Sequence, residues 1–157
     1  MNRLVIAILC VACAFSGSVR AETIVKDAWV RATPGTAKVT AGYVVIVNTG
    51  ASDDVLTGVS APSASMAHIH GSATKDGVMS MEPVTSLPVP AGKEVALSPG
   101  GYHVMIMGLK SSLKVGDELP LVFSFKRQGN VSITAKVMPL SYGGASTDPA
   151  KDRHSHK

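Results

Sequence analysis

Apolar residues fall in short, β-branched runs, and Gly, Pro, Asn and Asp break them at roughly 8–12-residue intervals. The pattern predicts strands at Thr23–Val30, Val39–Asn48, Val55–Ser60, Glu94–Leu97, Tyr102–Met107, Leu119–Phe125 and Val131–Val137. Val39–Asn48 is the strongest of these, because most of its side chains are branched or aromatic. Met66–His70 and Val78–Met81 read as the arms of a hairpin around the turn-rich Gly71–Gly77. Leu87–Gly92 reads as a proline-broken connection, Leu109–Leu119 as a polar connection, and Trp29 as a core anchor. No segment sustains a 3.6-residue apolar period with caps. The expectation is an all-β, antiparallel sandwich or barrel.

The two ends depart from this pattern. Met1-Asn-Arg3, the apolar run Leu4–Phe15 and the small residues Val19 and Ala21 predict a secretory signal over 1–21, cleaved before Glu22. The apolar run is too short for a membrane span. Export to the periplasm follows as the expected localisation. Cys10 and Cys13 fall inside that segment, so the mature chain would have no cysteine. That excludes disulfides, thiolate catalysis and a cysteine-ligated blue-copper centre. Residues 22–140 form one expected domain. Residues 141–157 have little to bury and read as a disordered tail.

Charge adds little. The formal net charge of +4 becomes +2 once Arg3 and Arg20 are removed. No basic cluster with interleaved aromatics marks a nucleic-acid partner.

Candidate chemistry is concentrated between Met66 and Met107. After Met1 the chain has six methionines, and five lie there: Met66, Met79, Met81, Met105 and Met107. Three of the five histidines, His68, His70 and His103, lie there too. Thioether sulfur and imidazole nitrogen are neutral ligands that suit monovalent copper. A lone strand histidine is ordinarily a surface residue and a lone methionine ordinarily core, so convergence decides the matter. Strand parity puts His68 with His70, Met79 with Met81, and His103 with Met105 and Met107, each set on one face. Tyr102, Val104 and Ile106 then face the core. A Lys75-Asp76 turn would place His70 directly opposite Met81, and an Asp76-Gly77 turn would make them diagonal neighbours. Met79 and Met107 read as rim or supporting residues, with His68, as possible additional ligands. Met66 reads as packing. His154 and His156 in the tail are candidates for a weak Cu(II) site, since Cu(II) favours nitrogen and oxygen donors. No Ser-His-Asp or paired-carboxylate arrangement is apparent, and no enzymatic activity is expected.

The spacing His70, ten residues, Met81, twenty-one residues, His103, one residue, Met105 resembles the motif of the periplasmic PCu(A)C copper chaperones. Gly77–Val84, Pro90-Ala-Gly92 and Pro99–Lys110 resemble its surroundings, and the likeness runs from about Ala28 to Val137. The resemblance implies a cupredoxin-like antiparallel β-sandwich of Greek-key type, with Cu(I) held by His70, Met81, His103 and Met105. His68 departs from the family's pattern and raises the question of competition with His70. The family also implies delivery of copper to an apo-protein: the copper sites of cytochrome c oxidase, in its subunit II, alongside Sco-type proteins. A copper buffer for resistance or import would need the same site. An electron carrier or enzyme on this scaffold fits the missing cysteine less well.

Overall fold

A computed structural model describes residues 22–75 and 78–143 of the protein. The expected signal over 1–21 and the tail histidines His154 and His156 lie outside the described residues. Ten strands follow one another: β1 (Thr23–Arg31), β2 (Val39–Asn48), β3 (Asp54–Ser60), β4 (Met66–Lys75), β5 (Val78–Val84), β6 (Leu87–Val89), β7 (Glu94–Leu97), β8 (Tyr102–Met107), β9 (Glu118–Phe125) and β10 (Gly129–Met138). They are hydrogen-bonded in the order β5-β4-β8-β2-β1-β10-β9-β3-β6, with β7 also on β2. Every pair is antiparallel except β1 with β10, which run parallel. The fold is the all-β, cupredoxin-like sandwich that the chain's pattern and resemblance imply.

One apolar core holds it together. Val30, Val44, Ile46, Leu56, Ile69, Val104, Ile106, Leu121, Phe123 and Val137, drawn from seven strands, are buried in a single cluster. Burial of each such side chain contributes about 1.5–3 kcal/mol. β4 and β8 each supply only alternate residues to it: Ile69 from β4, Val104 and Ile106 from β8. Their other residues face outward, and the candidate ligands are among them.

Three local expectations are corrected. Leu87–Val89 is a strand, paired with Asp54–Leu56. It ends the sheet order, and Pro88 is tolerated there because an end strand need not donate on both sides. Trp29 is buried, but outside the main core. A bulge between Lys26 and Trp29, with Asp27 at φ 52°, inverts the parity of β1, so Trp29 pairs with Tyr43 on the opposite side from Val30 and Gly42. Its ring lies 4.3 Å from that of Tyr43 and 4.8 Å from that of Tyr142, edge-on. Packing therefore continues to Tyr142, past the expected start of the tail at residue 141. Tyr102, expected in the core, is 41% exposed. It begins β8 at the sheet's margin, opposite Gly71, where an added Cβ would stand 3.3 Å from Tyr102 Cε1.

Candidate metal centre

The site is a three-strand surface: β5 at the edge, β4 beside it, then β8. The pairing of β4 with β8 sets Met66 opposite Met107, His68 opposite Met105 and His70 opposite His103. These six side chains share one face. β5 joins in the register Ser72 with Met81 and His70 with Pro83, and Lys75 with Val78. This is the register in which His70 and Met81 are diagonal neighbours. Met79 pairs with Thr74 along the backbone. On the far side of β8, Ala41 of β2 stands opposite Met105, and its methyl group leaves room for the thioether.

Both ends of the surface are fixed by backbone contacts. At one end, Ser65 N–H donates to the Met107 and Gly108 carbonyls (3.1 Å each). Gly108 has φ +68°, and a Cβ there would stand 2.5 Å from Ser65 Oγ, so glycine is required. At the other end, Gly101 N–H closes a turn on Ser98 O (3.0 Å), with Gly100 at φ +87°. The Gly101 carbonyl then accepts from Ser72 N–H (3.3 Å) and lies 3.3 Å from His103 Nδ1. A carbonyl can only accept, so Nδ1 carries the proton. The Nε2 lone pair of His103 is thereby free for a metal, the arrangement that ordinarily orients a ligating histidine. Sequence reasoning did not find this role of Gly101. The Gly100-Gly101 pair two residues before His103 was its only signal.

Exposure grades the set. His103 is buried at 6% and His70, Met105 and Met107 are half-buried, while His68, Met66 (52%) and Met81 (55%) are exposed. Met66 is thus not a packing residue, because its strand parity turns it away from Ile69 and the core. The His70 and His103 ring centres are 5.8 Å apart. Two imidazoles sharing an ion have ring centres up to about 6 Å apart, given metal–nitrogen bonds of about 2.0–2.1 Å plus the ring radius. His70 Nδ1 is buried without a hydrogen-bond partner, a desolvated nitrogen whose lone pair a bound cation would satisfy. His70 also lies nearer Met81 than His68 does, by one full side-chain repeat of β4.

Burial, then the neighbouring His103 and His68, hold the His70 imidazole below its ordinary value of 6.5. Charging it opposes folding. Its contribution to stability is therefore complete above 6.5 and is lost as pH falls below that value. In an NMR titration of the metal-free protein, the His70 ring should protonate with a midpoint below 6.5, so it remains a competent ligand in mildly acidic medium. A midpoint at or above 6.5 would contradict its burial.

The donor set selects the ion. Among the described residues, no group of three or more His, Cys, Asp and Glu side chains is disposed to hold a metal. Any site here must draw on methionine sulfur, and thioether with imidazole favours Cu(I) over zinc, calcium or magnesium. A groove of about 340 Å³ lined by Trp29, Leu97, Pro99 and Tyr142 includes none of these histidines or candidate methionines.

Known proteins similar to this chain show its family and its fold. Residues 23–137 match the family described as "Putative lipoprotein LpqE-like". A curated relative, "Putative lipoprotein Lxx21020" of Leifsonia xyli subsp. xyli, is 31% identical over 118 residues, 74% of this chain and 70% of that protein. Among solved structures, the apo PCuAC domain from PmoF1 is 28% identical, with a TM-score of 0.64 over 75% of this chain and 94% of that domain. DR1885 from Deinococcus radiodurans is 26% identical. Its apo form has a TM-score of 0.61 over 91% of this chain and 96% of its own, and its Cu(I) form 0.57 over 84% and 88%. The chain belongs to the LpqE-like family, and its fold is that of the PCuAC domains.

Proposed function

We propose that the protein is an exported copper carrier that holds one Cu(I) with His70, Met81, His103 and Met105 and passes it to a copper-requiring apo-protein. The observation that carries this reading is the directly opposed His70–His103 pair, with a buried, unpartnered Nδ1 and with Met105 and Met81 on the same face. The structural relatives include a Cu(I)-bound DR1885. The family and a curated relative are described as lipoproteins, which are exported. Among the described residues no helix is long and apolar enough to cross a membrane.

The ligand set suits transfer. Cu(I) has a filled d shell and no demand for square-planar geometry, so its ligands can be exchanged one at a time. Thioethers bind without losing a proton, so copper uptake at sulfur releases none. Methionine also resists conversion to disulfides in an oxidising compartment; its liability is sulfoxide formation. Met81, exposed on the edge strand β5, is the ligand an incoming protein reaches first. Its displacement opens the ion to the acceptor's own ligands, while His103, buried and oriented by Gly101, holds the ion until last.

The acceptor we propose is the CuA domain of cytochrome c oxidase subunit II, directly or through a Sco-type protein. The test mixes Cu(I)-loaded protein with isolated apo CuA domain and follows loading by the absorption of the assembled centre. A delivery protein fills the domain stoichiometrically. A buffer competes for copper and leaves the domain empty, and that result would overturn delivery to this acceptor.

A further inference from the structure

Met66 and Met107 have no part in the four-ligand set, yet they are directly opposed across the β4–β8 ladder. Side chains so placed have Cβ atoms about 4.5–5.5 Å apart, and each thioether has three rotatable bonds, so two sulfurs can meet on one ion. The ladder is fixed at this point by Ser65, whose N–H donates to the Met107 and Gly108 carbonyls. His68 is the next residue on the same face of β4 and is exposed. Met66 is 52% exposed. An exposed methionine alone is unremarkable. Here it stands opposite a second methionine and beside an exposed imidazole. Two thioethers and one imidazole are a donor set for a soft monovalent ion, with no carboxylate among them to suit a harder one.

We propose that Met66, His68 and Met107 form a second, weaker Cu(I) station on the same face, bordering the four-ligand site at Met105. This rests on the reading of His70, Met81, His103 and Met105 as the principal copper site. Met105 stands opposite His68 and two residues from Met107 on β8, so it borders both sets. Copper arriving at the exposed station moves inward by ligand exchange. Each step breaks one bond from Met66, Met107 or His68 and forms one to Met105, His103, His70 or Met81. The ion stays Cu(I) throughout, so no reductant or oxidant is consumed. Met66 and His68 of the station are exposed and Met107 is half-buried, and the station lies at the end of β4 and β8 remote from Met81. Copper can therefore enter at one end and leave at the other.

The test is a Cu(I) titration of the full chain against a chromogenic chelator, with the methionine methyl resonances followed by NMR. The wild type should take a tight first equivalent and a second bound at least ten-fold more weakly, and the second should move the Met66 and Met107 methyl signals. Met66→Leu/Met107→Leu, a nearly volume-conserving change at solvent-accessible positions, should remove the second equivalent and leave the first unchanged. A second equivalent that persists in the double variant, or one that moves only the His154 and His156 rings, would overturn the station, as would a wild type that stops at one. The readings are separable, because the tight equivalent reports the four-ligand set and the weaker one reports the methionine pair.

Discussion

Met105→Leu should weaken the first Cu(I) equivalent by more than about 100-fold, beyond the roughly 10–100-fold that loss of a supporting partner costs a metal site. That corresponds to about 3 kcal/mol or more of binding free energy. Leucine keeps the side-chain volume, so the fold should lose less than about 1.5 kcal/mol, and the effect can be read as loss of a sulfur ligand. Met105 is half-buried between Ala41 on β2 and His68 on β4, two residues from His103 on the same face of β8. His103→Ala should cost at least as much, because it removes the one ring whose free nitrogen is set by the Gly101 carbonyl. Met81→Leu should cost less than either, since Met81 is 55% exposed on the edge strand and water or a neighbouring donor can substitute. Met66→Leu should leave the first equivalent unchanged. Competition with a Cu(I) chelator at fixed pH gives all four values. Equal losses for Met66→Leu and Met105→Leu would remove the distinction between the two ends of the site.

The second large effect concerns stability, away from the ligands. Asp54 is buried at the start of β3. Its carboxylate accepts from Val55 N–H (2.8 Å), Arg127 N–H (2.9 Å), Gln128 N–H (3.1 Å) and Thr23 Oγ1 (3.0 Å). One side chain thus ties β1 and β3 to the turn between β9 and β10. Asp54→Ala leaves three backbone donors without their acceptor, at about 1–3 kcal/mol for each that water cannot reach. The expected loss is about 3–5 kcal/mol, at the upper end for a single substitution. It should appear in urea unfolding as a lower midpoint with an unchanged slope. Burial by itself would raise the Asp54 pKa, but the four hydrogen bonds together outweigh it and hold the group below its ordinary 3.8. Its contribution is therefore present above that value and lost as pH falls through the depressed pKa. Asp54→Ala should flatten the acid limb of the stability profile. None of the four proposed copper ligands lies on β1, β3, β9 or β10, so the folded variant should bind Cu(I) as the wild type does. A loss under about 1 kcal/mol would show that water replaces the carboxylate.

Much of this was legible in the chain because strand parity is local. Period two alone put His68 with His70, and His103 with Met105 and Met107, on common faces. The neighbours of those faces were not legible. β4 pairs with both β5 and β8. The second pairing joins residues more than thirty positions apart and is set by packing of Ile69, Val104 and Ile106 into one core. Hence the direct oppositions of His70 with His103 and of Met66 with Met107 appear only in the fold. The hairpin register was open between two turns because both keep the same parity. Trp29 misled for a related reason: the bulge at Asp27 adds one residue and inverts every face after it. Met66 and Pro88 show the same limit, since a methionine reads as core and a proline as a break until the sheet order gives them an exposed face and an end strand.

In the proposed copper site, the thioethers and imidazoles of this face share one ion. X-ray absorption at the copper edge, on the protein loaded with a single equivalent of Cu(I), reads that shell directly. A mixed first shell of sulfur and nitrogen is expected, with the sulfur contribution reduced in Met105→Leu. An all-nitrogen shell, or a sulfur contribution that Met105→Leu leaves unchanged, would contradict it.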